Sequence, residues 1–217
     1  MFIHKHPYPP FIQEDTQKLI VGTLPPPRFS TGQLLEKDVD FCYGSYYNSL
    51  WLYIDKIHQL NLKFENTKAA IEQRKQFLIT HKIGICDIVE SGERKKIDAS
   101  DLGLTNVKLR NLVGYLKQFP KIHTLLFTGG NSKNGPEYFL RKQLKDYRLK
   151  LKIVSNTTPK IHQFKLEDRT LKTVSLTSPS GSANRAIGSM DSYKQLKAKE
   201  KTFTTFDFRV MQYREFF

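Results

Sequence analysis

An aromatic segment at residues 41 to 51, FCYGSYYNSLW, holds the first group of residues that could do chemistry. It places five aromatic side chains around one small amide, Asn48. The rings could wall a pocket, and a side-chain amide supplies both a hydrogen-bond donor and an acceptor. The structural alternative is that Asn48 caps the helix that follows, a position that asparagine favours.

Two loops that follow strand-like apolar runs could also contact a ligand. In LIVGTLPPPRFS, residues 19–30, Gly22 permits a close turn and three prolines stiffen the loop. In VSLTSPSGSANR, residues 174–185, serine hydroxyls and main-chain N–H groups could bind phosphate oxygens. Taken singly, the first loop is equally well explained as structural, and the second is better explained as an ordinary Ser/Gly loop.

The carboxylate nearest to these segments is Asp87, near the end of the apolar run IGICDIV. It could position a water molecule, but a cap or an ion pair with a cation such as Arg94 is the favoured interpretation. His4 and His6 are expected to lie in a solvated N-terminal tail. The six histidines and two cysteines show no metal-binding spacing, so we expect neither a metal nor a cofactor.

The elements that would position these residues alternate along the chain. Short β-branched runs predict strands at residues 18–22, 83–89, 123–128, 151–155 and 172–177. Helical patterns lie between them, at residues 48–60, 67–81, 106–119 and 136–147. The stretch 192–217 fits either a helix or an added strand, and its TFTTFDF segment favours extended structure.

This alternation predicts a single-domain three-layer α/β/α fold with a mostly parallel central sheet of four to five strands. Its motif-bearing core spans residues 18–185, and residues 186–217 form a C-terminal extension. In such folds, functional sites collect in the loops beyond the carboxyl ends of the strands. The loops after Gly22, Ile88, Thr128 and Thr177 are therefore expected to meet.

The charge of the chain favours a polyanionic partner. Its 217 residues include 35 Lys and Arg against 21 Asp and Glu, a net charge of +14. A field of this sign attracts nucleic acid. The 39% hydrophobic content is typical of a globular protein, and the N-terminus MFIHKHPYPPF lacks a signal-peptide core, so we expect a cytoplasmic protein and, as the simplest assembly, a monomer.

Together, the Gly-x-x-Pro loop, the Asn-x-x-Trp segment and the Ser-Pro-Ser loop resemble the uracil-DNA glycosylase superfamily from about residue 18 to 185. GTLPP at 22–26 resembles its first motif, and TSPSGSAN at 177–184 resembles its second, which grips the DNA strand. The pair Tyr43-Gly44 followed by NSLW is most similar to the hypoxanthine-DNA glycosylase and mismatch-specific uracil glycosylase branches. GICDIVESGERKKIDASD, at 84–101, is similar to a strand and loop of the hypoxanthine branch.

The resemblance implies a role for each motif residue. The catalytic residues would be Asn48 and Asp87. The base pocket would be lined by Gly22, Thr23, Leu24, Pro25, Phe41, Tyr43 and Tyr47. The DNA contacts would come from Arg28, Arg94, Ser178, Ser180, Ser182, Asn184 and Arg185.

One position departs from the superfamily pattern. Many members place an Asp or Asn before the first-motif proline to position water, where this chain has Leu24. The hypoxanthine branch also lacks that residue and uses an amide that corresponds to Asn48.

The resemblance thus implies a monofunctional DNA glycosylase of base excision repair that removes a deaminated or damaged base of the hypoxanthine or uracil type. The alternative is a catalytically inactive nucleic-acid-binding member of the same fold. A third reading, an enzyme of free nucleosides, is disfavoured by the charge because a small neutral substrate gains little from such a field.

Overall fold

The computed structural model describes residues 1–96 and 100–217 of the chain. Its strands are β1 (Phe2–Lys5), β2 (Lys18–Val21), β3 (Ile83–Ile85), β4 (Val89–Arg94), β5 (Leu104–Leu109), β6 (Thr124–Phe127), β7 (Lys152–Ser155), β8 (Lys160–Leu166) and β9 (Arg169–Ser175). Its helices are α1 (Pro27–Ser30), α2 (Leu50–His58), α3 (Lys68–Thr80), α4 (Leu112–Gln118), α5 (Pro136–Asp146), α6 (Asn184–Ser189), α7 (Asp191–Lys199) and α8 (Thr205–Arg214). None of the helices in these two ranges combines the length and apolar character needed to cross a membrane.

The central sheet has six strands in the order β3-β2-β6-β9-β8-β7. The first four are parallel, and β8 and β7 continue the sheet in antiparallel register. Along β2, Leu19 and Val21 lie in one apolar core, whereas Ile20 lies in the other. Since successive side chains of a strand point to opposite faces, helices cover both faces of the sheet.

The predicted fold class, a three-layer arrangement around a mostly parallel sheet, is confirmed. The sheet has six strands rather than four to five because β8 forms a hairpin with β9 and pairs with β7. The alternation of buried His162, Phe164 and Leu166 along β8 is the sequence signal of this strand, although the polar residues between them, Gln163 and Lys165, obscured it.

A second sheet of three antiparallel strands, β1-β4-β5, flanks the central one. The helix predicted at 106–119 is therefore wrong in its first half, because residues 104–109 pair with β4 instead. Helix α4 starts only after Asn111, whose side chain accepts a hydrogen bond from the N–H of Gly114. The strand predicted at 83–89 is likewise divided, since β3 ends at Ile85 and β4 begins at Val89.

The C-terminal segment is helical, so the extended structure favoured for TFTTFDF is wrong. Thr204 and Asp207 form a reciprocal capping box that starts α8. The helix packs against α2, where the rings of Tyr53 and Tyr213 lie with their centroids 5.1 Å apart. Local capping and this aromatic contact outweigh the β-propensity of the threonines and phenylalanines.

We expect Gly44→Ala to lower the free energy of unfolding by about 2 kcal/mol or more, as overpacking against backbone typically does. A Cβ atom at Gly44 would lie 1.9 Å from the carbonyl oxygen of Val39, so the aromatic segment would have to move. Urea unfolding would measure the change. Gly188→Ala is the control, because a Cβ there meets open space and should not destabilise the protein. Equal stability of both variants would contradict this packing.

Candidate active site

A cleft of about 860 Å³ lies at the carboxyl edge of the central sheet. Its floor carries Gly22 after β2, Asp87 after β3, Thr128 after β6 and Ser175 at the end of β9. The loops after Gly22, Thr128 and Thr177 meet here as expected, whereas the expected loop after Ile88 is replaced by Asp87, because β3 already ends at Ile85. The aromatic segment forms one wall, and the Ser-Pro-Ser loop that follows β9 forms another.

On this floor, the carboxylate of Asp87 is held by hydrogen bonds to both of its oxygens. Its Oδ1 accepts hydrogen bonds from the N–H of Gly22 at 2.8 Å and from the hydroxyl of Tyr43 at 2.7 Å. Its Oδ2 lies 3.0 Å from Nε2 of His6. Asp87 thus neither caps a helix nor pairs with Arg94. Its three partners come from three separate segments and fix the position of the carboxylate.

His6 is a functional residue that the sequence interpretation missed. The expected solvated tail is wrong, because β1 pairs with β4 and leaves His4 fully buried and His6 only 7% exposed. The N–H of Tyr8 donates to Nδ1 of His6 at 3.1 Å, so Nδ1 is an acceptor and the ring proton sits on Nε2. That proton points at Asp87. The alternating HKH sequence was the available signal of a strand with His4 and His6 on one face. Only the pairing of β1 with β4 shows that this face is buried.

Gly22 is required by the close approach of these groups. A Cβ atom there would lie 2.3 Å from the Tyr43 hydroxyl oxygen and 2.9 Å from Oδ1 of Asp87. Tyr43 itself has a φ of 58°, a left-handed conformation that is unfavourable for an aromatic residue. Burial and the charge of Asp87 raise the pKa of Tyr43 well above its ordinary value, so its hydroxyl stays a donor.

A second carboxyl group, Asp101, also lines the cleft and was not identified from the sequence. Its Oδ2 accepts a hydrogen bond from the Thr23 hydroxyl at 2.9 Å. The side-chain amide of Asn134 donates to the main-chain carbonyl of Asp101 at 2.8 Å. Burial raises the pKa of Asp101 to about 6 against the opposing effects of Thr23 and Arg94, and the charge of Asp87 adds to the increase.

Asn48 lines the cleft but is not the N-cap of α2, which is Ser49. Its Oδ1 instead accepts a hydrogen bond at 3.0 Å from the N–H of Leu50, the first residue of α2. Its backbone forms a β-bridge with Ser180, and the N–H of Ser49 donates to the carbonyl of Pro179. The residue therefore joins two walls of the cleft, and its NH₂ group is the part of the amide that could contact a ligand.

Most of the expected pocket residues line the cleft, namely Gly22, Thr23, Leu24, Pro25, Tyr43 and Tyr47. Phe41 is the exception, and its assignment to the pocket is wrong. Its ring is 7% exposed and packs in the core between Phe11 and Trp51. Tyr47 stands at the mouth of the cleft with 66% of its surface exposed, beside Tyr46, which is 51% exposed.

The two arginines expected to contact DNA from the first half of the chain are engaged inside the protein. Arg94 is only 1% exposed and donates to His4 and to the carbonyl of Ser100, so its assignment to the DNA surface is wrong. The guanidinium of Arg28 lines the cleft but forms a fork with buried Asp38, at 2.7 and 2.8 Å. Its charge is already paired.

The residues expected to contact DNA from the last loop differ in availability. Ser178 and Ser180 line the cleft, and Ser182 and Arg185 are exposed at its rim. Asn184 is also exposed, but its side-chain oxygen accepts hydrogen bonds from Arg209 and Thr205. The loop therefore presents hydroxyl groups and one arginine to solvent.

The far end of the cleft contains a buried ionic group. The carboxylate of Glu137 accepts from the Ser175 hydroxyl at 2.5 Å and from Nε of Arg141 at 2.8 Å. Arg141 also donates to Nε2 of His162 at 3.0 Å, which leaves the neutral ring proton on Nδ1. Burial lowers the pKa of His162. His162 was missed in the sequence because β8 was not recognised.

We expect Tyr43→Phe to lower the free energy of unfolding by about 1.5–3 kcal/mol, the range for a hydrogen bond to a charged group. The variant removes one of the donors to Asp87 without changing the ring. Tyr47→Phe is the matched control, because that side chain is exposed and should change stability by less than about 0.5 kcal/mol. Chemical denaturation measures both. Equal stability of the two variants would show that the contact with Asp87 contributes nothing.

Comparison with known proteins finds likeness at the level of the fold. No protein-family model and no curated protein matches the chain. Among solved structures, it is similar to the solution NMR structure of a "putative Uracil DNA glycosylase" from Methanosarcina acetivorans, with a TM-score of 0.56 and 20% identity. The alignment covers 95% of this chain and 98% of that one. The chain therefore has a uracil-DNA-glycosylase-like α/β fold.

Proposed function

We propose that the protein is a monofunctional DNA glycosylase, which hydrolyses the N-glycosidic bond of a deaminated or damaged base. The observation that carries this proposal is the Asp87 carboxylate, held by Gly22, Tyr43 and His6 on the floor of a cleft at the strand ends. The similar structure from Methanosarcina acetivorans supports it, since the whole chain shares that fold.

Asp87 suits the charge that this reaction develops. As the bond between the sugar carbon C1′ and the base breaks, positive charge grows on the sugar. A carboxylate fixed in advance stabilises that charge without having to reorganise. The same group can accept a hydrogen bond from the water that attacks C1′. His6 acts through Asp87, so we assign it as a positioning residue.

The assignment of Asp87 explains how the site can work with a leucine at position 24, where many superfamily members have Asp or Asn. The leucine packs against the apolar core on one side and lines the cleft on the other, so it cannot orient water. Asp87 enters the same cleft from the end of β3 instead of from the loop after β2. The negative charge is therefore retained although it is supplied by a different strand.

The surroundings of the cleft suit a nucleotide that has left the duplex. Extruding a base costs a few kcal/mol, and aromatic stacking returns ~1–3 kcal/mol per base. Tyr47 at the mouth offers such a ring, and Ser178 and Ser180, whose hydroxyls could bind phosphate oxygens, line the same cleft. The net charge of +14 attracts the DNA backbone.

Single-turnover base release from labelled oligonucleotides tests the proposal. The panel holds uracil, hypoxanthine, xanthine and ethenoadenine, each single-stranded and in defined pairs. We expect wild type to release at least one of them and Asp87→Asn to slow that release about 100-fold or more, as loss of a preorganised electrostatic group does.

Asp191→Asn is the control for Asp87→Asn, because that carboxylate is on the surface and pairs only at 3.6 Å with Lys194. It should release base at the wild-type rate. If wild type binds DNA in a salt-sensitive manner but releases no base, the catalytically inactive nucleic-acid-binding protein becomes the better account, and Leu24 is the position that favours it.

A pair of substitutions separates the two roles of Asn48. Asn48→Asp keeps an oxygen for the N–H of Leu50 but replaces the NH₂ group with a negatively charged oxygen, so we expect wild-type thermal stability and base release at least about tenfold slower, the factor for one hydrogen bond. Asn48→Ala should lose both stability and activity. If Asn48→Asp retains full activity, the residue serves only to hold the start of α2.

A further inference from the structure

The two carboxyl groups of the cleft have contrasting environments. Asp87 receives hydrogen bonds from three donors, which occupy both of its oxygens. Asp101 receives one, from the hydroxyl of Thr23 on Oδ2. Thr23 occupies Oδ2, so Oδ1 is the oxygen that would carry a proton towards a ligand.

The position of Asp101 is fixed through its main chain. The buried amide of Asn134 bridges the carbonyls of Asp101 and Leu104, at 2.8 and 3.0 Å. Asn134 belongs to the loop that follows β6, and that loop also lines the cleft. The carboxyl of Asp101 is thereby held between the loops after β2 and β6, on the same side of the cleft as Thr23.

Charged groups act on Asp101 from two neighbouring elements. Arg94, at the end of β4, lowers its pKa, and Asp87, after β3, raises it. Burial is the largest effect and brings the pKa to about 6. A carboxyl group that titrates near neutral pH is matched to proton transfer, because it is present in useful amounts in both forms.

We propose that Asp101 is the acid that protonates the departing base, and that the cleft therefore acts on neutral purine-type bases. The inference rests on the proposed glycosylase function. Two carboxyl groups in contrasting environments can divide the work, one as a stabilising carboxylate and one as a proton donor. Purines need such a donor because they leave poorly as anions and carry ring nitrogens that accept a proton.

The step balances as follows in atoms and charge. The bond from C1′ to the base nitrogen breaks, and its electron pair goes to the base. The proton of Asp101 goes to another ring nitrogen of that base, which then leaves as a neutral molecule. Water adds its oxygen to C1′, and the proton that it loses returns to the Asp101 carboxylate. The carboxylate of Asp87 takes no part in this proton transfer and stabilises the positive sugar.

The other acidic groups that line the described part of the cleft are less suited to this task. Burial and Asp87 keep the pKa of Tyr43 well above its ordinary value, so it is a weak acid. The carboxylate of Glu137 is occupied by Arg141 and Ser175. The ring proton of His6 is directed at Asp87.

The test compares two bases in matched oligonucleotides, between pH 5 and pH 8.5. Hypoxanthine is neutral and needs a proton to leave, whereas 7-methylguanine already carries a positive charge. With wild type, hypoxanthine release should fall about tenfold per pH unit above pH ~6, because the acid form is lost. Release of 7-methylguanine should not follow this decline.

Asp101→Asn should slow hypoxanthine release at pH 5.5 by about 100-fold, the lower end for general acid catalysis, and should remove the decline with pH. It should leave 7-methylguanine release at the wild-type rate, which a damaged or unfolded site would not do. Thr23→Val is the second variant. It removes a hydrogen bond that lowers the pKa of Asp101, so the decline should move to higher pH.

The outcomes separate this assignment from the function on which it rests. Equal slowing of both bases by Asp101→Asn, or a rate that rises with pH through 6, overturns the assignment and leaves the glycosylase intact. An unchanged pH profile in Thr23→Val also contradicts it. Failure of wild type to release either base at any pH overturns the assignment, and the glycosylase function falls with it only if none of the four bases of the earlier panel is released.

Discussion

The carboxylate of Asp87 is the contact on which the architecture of the cleft depends. Its three partners belong to the N-terminal segment, to the loop after the first strand of the central sheet and to the aromatic segment. These segments are far apart in sequence. Among the described residues, no other side chain forms hydrogen bonds with His6, Gly22 and Tyr43 together. A buried carboxylate is stable only when its oxygens are hydrogen-bonded, so each segment must be in place before the site exists.

The aromatic segment shows how structural and functional roles can share a few residues. Trp51 is in the core, where its indole N–H donates to the carbonyl of Cys42, whereas Tyr43 turns into the cleft and donates to Asp87. The left-handed backbone at Tyr43 is what separates the two directions. The oxygen of Asn48 accepts a hydrogen bond from the first residue of α2, and the same side chain lines the cleft, so a structural role and a functional role are compatible.

The sequence was informative where patterns are local and repeated. The alternation of strands and helices predicted the sheet and therefore the edge at which Gly22, Asp87 and Thr128 meet. It was uninformative where long-range pairing decides the environment of a side chain. His6 and Arg94 were both judged by their neighbours in the chain, yet the pairing of β1 with β4 buries them. The burial of Asp101 could not be predicted for the same reason, because it comes from long-range packing between two loops.

Binding of abasic-site analogues tests most directly whether Asp87 acts on a positively charged sugar. A pyrrolidine abasic analogue in DNA carries the charge that the sugar acquires as the base departs, whereas a tetrahydrofuran analogue of the same shape is neutral. Because an enzyme binds the transition state best, we expect wild type to prefer the cationic analogue by at least about tenfold and Asp87→Asn to lose that preference. Equal affinity of wild type for the two analogues would contradict the account.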